Sequence, residues 1–255
     1  SGWPSYPLFP IMARRAHGQA VRVEGGVDGL LEAAREPGTR AIAIASPNDP
    51  TGELLGTGEL ERLLNGLAED VGVLLDESLV EFSDAQPIDS SLALLAEHPR
   101  LFVFRSFSKA WGLAGLRVGY AIGGPGSEEL LAALEPDLGV SEVSQAGALE
   151  AMRACSEQVR RRTRIVCEER VRLTAELRER GFDVSESQAN FVWAAHPELD
   201  GTELAAGLAR GGVIVAVGAA LGEPDHVRIA LRDAAATDRV LAGLDKEADV
   251  PRETP

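Results

Sequence analysis

The stretch Ser106 to Tyr120 (SFSKAWGLAGLRVGY) comes one residue after the apolar run Leu101 to Phe104. We expect the run to form a buried strand and the stretch to begin as the loop at its carboxyl end. The loop carries the hydroxyls of Ser106 and Ser108, the amine of Lys109, and the guanidinium of Arg117, a group that grips phosphate with two donors. These groups indicate an anion site beside an amine. A solvated lysine and an arginine paired with a carboxylate remain the alternative.

Short apolar runs alternate with helical patterns through the first half of the chain. This alternation predicts an α/β fold with a mostly parallel, doubly wound sheet. In such sheets ligands bind beyond the carboxyl ends of the strands, and Asn48, Asp76 and Lys109 each follow a predicted strand. We therefore expect the three side chains to share one crevice. The predicted strands are Ala20 to Val23, Ala41 to Ala45, Val71 to Leu75, Leu101 to Phe104 and Val118 to Ile122.

The second half of the chain is predicted to begin with a long amphipathic helix, from about Glu157 to Arg180, and to continue as a smaller α+β domain. The runs Val213 to Val217 and His226 to Leu231 are among its predicted strands. We expect a large, N-terminally incomplete domain over residues 1–156 and a small domain over residues 157–246. The charged, proline-bearing tail, residues 247–255, is predicted to be disordered.

Composition excludes several functions. The net charge of −15 over 255 residues argues against a nucleic-acid or membrane partner, because such binding needs clustered lysine and arginine. The one basic run, Arg160 to Arg164, predicts a solvated helix face. Two cysteines without a Cys-x-x-Cys spacing favour a reducing cytoplasm. Four scattered histidines give no metal-ligand spacing, so we predict no metal site.

Several motifs in this order resemble the fold-type I pyridoxal-phosphate enzymes, the class I/II aminotransferases. They are SPNDPTG around Asn48, LLDES around Asp76, and the loop with Lys109 and Arg117. The segments SQANF (residues 187–191) and HVRI (residues 226–229) add a likeness to the histidinol-phosphate aminotransferase branch. The resemblance covers nearly the whole chain and implies a homodimer. It also implies that the N-terminal region of a usual member is missing, which predicts an uncovered sheet edge and apolar surface.

The resemblance assigns a role to each candidate residue. Lys109 would form a Schiff base with pyridoxal 5'-phosphate and then move a proton on the substrate. Asp76 would keep the pyridine nitrogen protonated. The remaining implied contacts are Asn48 to the ring hydroxyl, Tyr6 stacked on the ring, Ser106, Ser108 and Arg117 on the phosphate, and Arg228 with Asn190 on the substrate carboxylate. Tyr6 as a core residue, and Arg232 in place of Arg228, are the alternatives.

The sequence departs from the family pattern at two positions. Leu79 stands where a tyrosine is common, and Ala216 stands where histidinol-phosphate aminotransferases usually have an arginine. The second departure allows a substrate without phosphate, such as an aromatic or other amino acid. We expect an amino-group transfer between an amino acid, or an amino-alcohol phosphate, and a 2-oxo acid. A decarboxylase resembling threonine-phosphate decarboxylase and a non-catalytic scaffold are the alternatives.

Overall fold

The computed structural model describes residues 1–134 and 139–248. Its first sheet contains four strands in sequence order. The first three strands are parallel, and the fourth runs antiparallel to the third. The carboxyl ends of the first three strands therefore meet at one edge. The strands are β1 (Ala41–Ala45), β2 (Gly72–Asp76), β3 (Leu101–Ser106) and β4 (Gly119–Gly123).

Helices and turns connect these strands and cover one core. Val73, Leu75 and Val103 are 1% exposed or less and pack with Leu60 and Leu63 of the helix between β1 and β2. Two 3₁₀ helices, Val80–Phe82 and Ser90–Ala96, connect β2 to β3. The α-helices of this half are α1 (Phe9–Arg15), α2 (Gly26–Ala34), α3 (Thr57–Gly66), α4 (Glu128–Leu134) and α5 (Glu142–Ala154).

The second sheet is antiparallel and has the strand order β5-β6-β8-β7. Its core takes side chains from the long helix and from the first half, since Leu79, Phe82 and Ala110 belong to the same buried cluster as Leu173 and Val192. The division at residue 156 stays a prediction. The elements are α6 (Ser156–Glu179), β5 (Asp183–Val184), β6 (Phe191–Ala195), α7 (Gly201–Arg210), β7 (Ala216–Val217), β8 (His226–Ala230) and α8 (Ala234–Ala248).

Local chemistry explains where several helices begin and end. Asp200 accepts hydrogen bonds from the backbone N–H groups of Thr202 and Glu203, and the Glu203 side chain accepts from the Asp200 N–H. This capping box starts α7. The long helix α6 stops before Gly181, whose positive φ of 82° reverses the chain at little steric cost.

Three expectations of the sequence analysis are wrong in part. Residues 20–23 form no strand, and only an isolated bridge joins Val23 to Gly2. Residues 213–215 are also outside any strand, and Ile214 is 92% exposed, so β7 is limited to two residues. Glu247 and Ala248, assigned to the tail, end α8, while residues 249–255 lie outside the described residues.

Candidate functional site

The carboxyl edge of the parallel strands brings together the turn at residues 46–52, Asp76 and the loop of Lys109. Asp76 ends β2 and lies between Ala45 of β1 and Phe104 of β3. Its backbone carbonyl accepts a hydrogen bond from Ser46 at 2.9 Å. These ladder bonds fix the starting points of the three polar segments, as the parallel topology requires.

The loop that carries Lys109 is anchored by buried neighbours although the Lys109 side chain is exposed. Phe107 and Ala110 are 6% and 0% exposed, so buried side chains lie close to Lys109 on both sides. Ala110 offers its carbonyl to Arg162 Nη1 at 2.7 Å, a contact that connects the predicted solvated basic run to this loop. The Lys109 carbonyl also accepts from the Gly112 N–H at 3.0 Å. Packing therefore holds the backbone while the amine stays accessible.

The two serines and Arg117 form one hydrogen-bonded group. Ser106 Oγ accepts from the Ser108 N–H at 3.0 Å, and Arg117 Nη1 lies 3.4 Å from Ser108 Oγ. Arg117 adopts a left-handed backbone conformation, with φ 53°, and also donates to the Ala114 carbonyl at 2.9 Å. The group leaves the remaining guanidinium donors and the two hydroxyls available to an anion.

Both cations of this loop lack a carboxylate partner. Within residues 1–134 and 139–248, neither Lys109 nor Arg117 forms an ion pair, and the Lys109 ammonium donates no hydrogen bond. Within these residues Arg117 therefore does not pair with a carboxylate, which was the alternative left open by the sequence. Two uncompensated positive charges beside two hydroxyls fit a phosphate-bearing ligand.

Tyr6 lies at the same edge as Asp76. Burial raises the pKa of the Tyr6 phenol, and the negative charges of Asp76 and Asp49 raise it further, whereas Arg117 opposes the shift. The bonds of Ser5 and Pro4 to Asn48 place the segment of Tyr6 at the turn of residues 46–52. Tyr6 is half-buried, with Phe9 edge-on at 5.5 Å between ring centroids. One oxygen of Asp76 caps the Ser78 N–H at 2.8 Å.

The Asn48 amide is used inside the chain. Its Nδ2 donates to the Pro4 carbonyl and to Thr51 Oγ1, both at 2.9 Å, and its Oδ1 accepts from Ser5 Oγ at 2.7 Å. Both amide hydrogens are thus taken, which leaves neither for the ring hydroxyl that the resemblance implies. In this structure Asn48 instead anchors the N-terminal segment that carries Tyr6.

Arg228 reaches the same edge from β8, but a carboxylate already contacts it. Its Nη1 donates to Asp49 Oδ1, and its guanidinium lies 5.0 Å from the centre of the Phe191 ring. Asn190, next to Phe191, is half-buried, and its backbone carbonyl accepts from Leu231 at 2.8 Å. Ala216 of β7 lies directly opposite Arg228.

The competing candidate, Arg232, is exposed and pairs with its neighbour Asp233 at 2.8 Å. Leu79, which stands where a tyrosine is common, is 5% exposed and belongs to the second core. Among the residues with described positions, no group of three potential ligands could hold a metal ion. None of the described helices is long and apolar enough to cross a membrane.

Two ion pairs at this edge are not evident from the sequence. Asp49 was noticed only as part of a turn, and its contact with Arg228 spans 179 residues. The second pair lies at the strand ends, where Arg105 of β3 holds Glu77, the residue after Asp76, at 2.8 Å. Burial raises the pKa of the Glu77 carboxyl, and the nearby Arg105 guanidinium opposes that rise. Two features of the sequence could have indicated the second pair. Glu77 is an acidic residue next to Asp76, and Arg105 is a charged residue in an otherwise apolar strand.

Comparison with known proteins places this geometry in a family. The family described as aminotransferase class I and II matches residues 2–244. Aromatic amino acid aminotransferase from Mycobacteroides abscessus is 38% identical over 218 residues, which cover 84% of this chain and 62% of that protein. The enzyme of the same name from Streptomyces avermitilis is 39% identical over 222 residues, covering 84% and 60%. The chain spans about six tenths of the length of these relatives.

A solved structure shares the fold. The histidinol-phosphate aminotransferase from Sinorhizobium meliloti, crystallised in complex with pyridoxal-5'-phosphate, superposes with a TM-score of 0.83 and 24% identity. The match covers 96% of this chain and 69% of that one, and it supports the architecture of two sheets described above. The family match over residues 2–244, together with the arrangement of the strand ends, shows that the chain belongs to the class I and II aminotransferases.

Proposed function

We propose that the chain binds pyridoxal 5'-phosphate and transfers amino groups between aromatic amino acids and 2-oxo acids. The observation that carries the proposal is that, among the described residues, neither the exposed amine of Lys109 nor the Arg117 guanidinium of the same segment has a carboxylate partner. The substrate class is inferred from the two relatives, both called aromatic amino acid aminotransferase. Ala216 opposite Arg228 is consistent with a substrate that carries no phosphate.

The residues of the edge suit the cofactor. Its phosphate would be held by the Arg117 guanidinium and the hydroxyls of Ser106 and Ser108. The Asp76 carboxylate would keep a ring nitrogen protonated, and its place at the end of β2, between β1 and β3, supports this role. When bound, pyridoxal 5'-phosphate supplies an aldehyde that reacts with amines and a ring that withdraws electrons from the attached carbon.

The chain's own groups would then bind the substrate and move its proton. Lys109 Nζ would take the proton from the substrate Cα as a general base and give it to the former aldehyde carbon of the cofactor as a general acid. Arg228 would bind the substrate carboxylate, with Asn190 nearby. The half-buried Tyr6 would pack on the ring and limit its movement. Asn48 would contact the ring hydroxyl through the second lone pair of its Oδ1 or by giving up one of its two donated bonds, and it also holds the segment of Tyr6.

The proposal extends to the setting of the protein. A cytoplasmic location follows from the two unpaired cysteines, and a homodimer follows from the family resemblance. The chain spans about six tenths of the length of these relatives. The activity of the whole protein is therefore also a proposal.

A product assay tests the proposed reaction. The chain is incubated with pyridoxal 5'-phosphate, phenylalanine and 2-oxoglutarate, and phenylpyruvate and carbon dioxide are measured. We expect phenylpyruvate to exceed one equivalent of the added pyridoxal 5'-phosphate only when the 2-oxo acid is present, and this turnover to be lost in Lys109→Ala but not in Lys246→Ala. Carbon dioxide release independent of the 2-oxo acid would identify a decarboxylase. Cofactor binding without either product would identify a scaffold.

A further inference from the structure

The ion pair between Asp49 and Arg228 puts an internal carboxylate where a ligand carboxylate is expected. The Asp49 side chain is 15% exposed and the Arg228 side chain 35%, so the pair is partly shielded from water. Arg228 is also held over Phe191. A partly buried ion pair of this kind is stronger than a surface pair, which is largely screened by solvent.

Contacts within the chain hold the turn that carries Asp49. Asn48 and Gly52 close it with a hydrogen bond of 2.7 Å between the Gly52 N–H and the Asn48 carbonyl. The Gly52 carbonyl accepts from the Gln188 N–H at 2.7 Å, which ties the turn to the second half of the chain. A Cβ atom on Gly52 would lie 2.1 Å from Ser187 Oγ, so the contact is close. The Asp49 carboxylate is thus presented by a braced turn.

A ligand carboxylate at Arg228 would meet the negative charge of Asp49, which contacts the guanidinium directly. Like charges repel, and Asp49 already occupies one of the guanidinium donors. An entering carboxylate must displace Asp49 or share Arg228 with it, and either outcome weakens its binding.

We propose that Asp49 is a specificity-determining residue that competes with the ligand carboxylate for Arg228. The inference rests on the proposed function, which makes Arg228 the carboxylate-binding residue. It predicts that Asp49 lowers the affinity for every ligand anchored by a carboxylate. Ligands recognised only through an aromatic ring are unaffected.

Direct binding measurements test this competition without turnover. The chain loaded with pyridoxal 5'-phosphate is titrated with 3-phenylpropanoate and with the uncharged 3-phenyl-1-propanol, by calorimetry. Asp49→Asn preserves the shape of the side chain and removes its charge. We expect Asp49→Asn to bind 3-phenylpropanoate about tenfold more tightly than the unmodified chain. The affinity for 3-phenyl-1-propanol should not change.

Three further variants make the result specific. Asp238→Asn removes an aspartate that pairs with Arg172 elsewhere, and it should leave both affinities unchanged. Arg228→Gln should weaken 3-phenylpropanoate binding in the Asp49→Asn background. Asp49→Ser replaces Asp49→Asn if the unfolding transition of the latter shows a loss of fold.

The failure of the inference is distinct from failure of the proposed function. Equal or weaker binding of 3-phenylpropanoate by both Asp49 variants, with binding still dependent on Arg228, overturns the competition and makes Asp49 a residue that orients Arg228. No carboxylate binding by any variant, although Lys109 still reacts with pyridoxal 5'-phosphate, also overturns it. Failure of Lys109 to react overturns the proposed function itself.

Discussion

A buried ion pair joins Arg105 of β3 to Glu77, the residue after Asp76. Arg105 Nε and Nη2 lie 2.9 and 2.8 Å from Glu77 Oε2, and the two side chains are 7% and 5% exposed. Arg105 Nη1 also lies 2.7 Å from Asp89 Oδ1, and Nη2 donates to the Ile88 carbonyl at 2.6 Å. Replacing Arg105 by methionine removes all of these bonds with a side chain that is still unbranched and apolar.

The expected loss follows from what remains buried. Glu77 would keep a carboxylate in the interior without a cation, and breaking a buried pair in this way costs about 3–5 kcal/mol. Asp89 is 66% exposed, so water can replace its bond and this contact adds little. We therefore expect Arg105→Met to lower the free energy of unfolding by about 3 kcal/mol.

Urea unfolding at neutral pH measures this loss. Adding Glu77→Gln to Arg105→Met should restore part of the stability, because no buried charge is then left unpaired. Arg232→Met, which breaks an exposed pair with Asp233, is the matched control and should cost less than about 1 kcal/mol. The reasoning is refuted if Arg105→Met costs no more than this control, or if the double variant is less stable than Arg105→Met.

Two other changes have expected signs. Burial raises the pKa of Glu81, so its stabilising contribution is present below the ordinary pKa of 4.5 and is lost as the pH rises through the folded value. The stability of Glu81→Gln relative to the unmodified chain should therefore increase with pH in denaturant titrations, and a constant difference would contradict this. Gly52→Ala meets Ser187 at a positive φ of 79° and should cost about 2 kcal/mol or more, whereas Gly58→Ala, within α3 and with nothing near its Cβ, should stabilise by about 0.5–1 kcal/mol. Equal unfolding midpoints for the two alanine variants would show that the Gly52 contact relaxes.

Local patterns in the sequence predict the first sheet well. The run Ala41 to Ala45 is the strand β1 with the same bounds. The run Val213 to Val215 has the same apolar composition as a strand but finds no neighbouring strand, and Ile214 is exposed. Strand formation depends on pairing with another segment, which composition alone does not report.

The candidate site is likewise predictable from the sequence only in part. Asp76 and Lys109 follow strand ends, so their shared edge follows from the parallel topology. The partners of Asn48 and Arg228 do not, because Pro4 and Asp49 come from distant parts of the chain. No spacing rule connects residues 179 apart, and only the folded chain reveals which of several carboxylates contacts Arg228.

The central claim is that Lys109 is the amine that reacts with pyridoxal 5'-phosphate, and the composition of the chain makes this directly measurable. The sequence contains two lysines, Lys109 and Lys246, and both are exposed. The chain is incubated with pyridoxal 5'-phosphate, reduced with borohydride, digested and examined by mass spectrometry. The account predicts the cofactor mass on the Lys109 peptide and its loss in Lys109→Ala. Equal labelling of Lys246 or of the N-terminal amine, or unchanged labelling in Lys109→Ala, would contradict it.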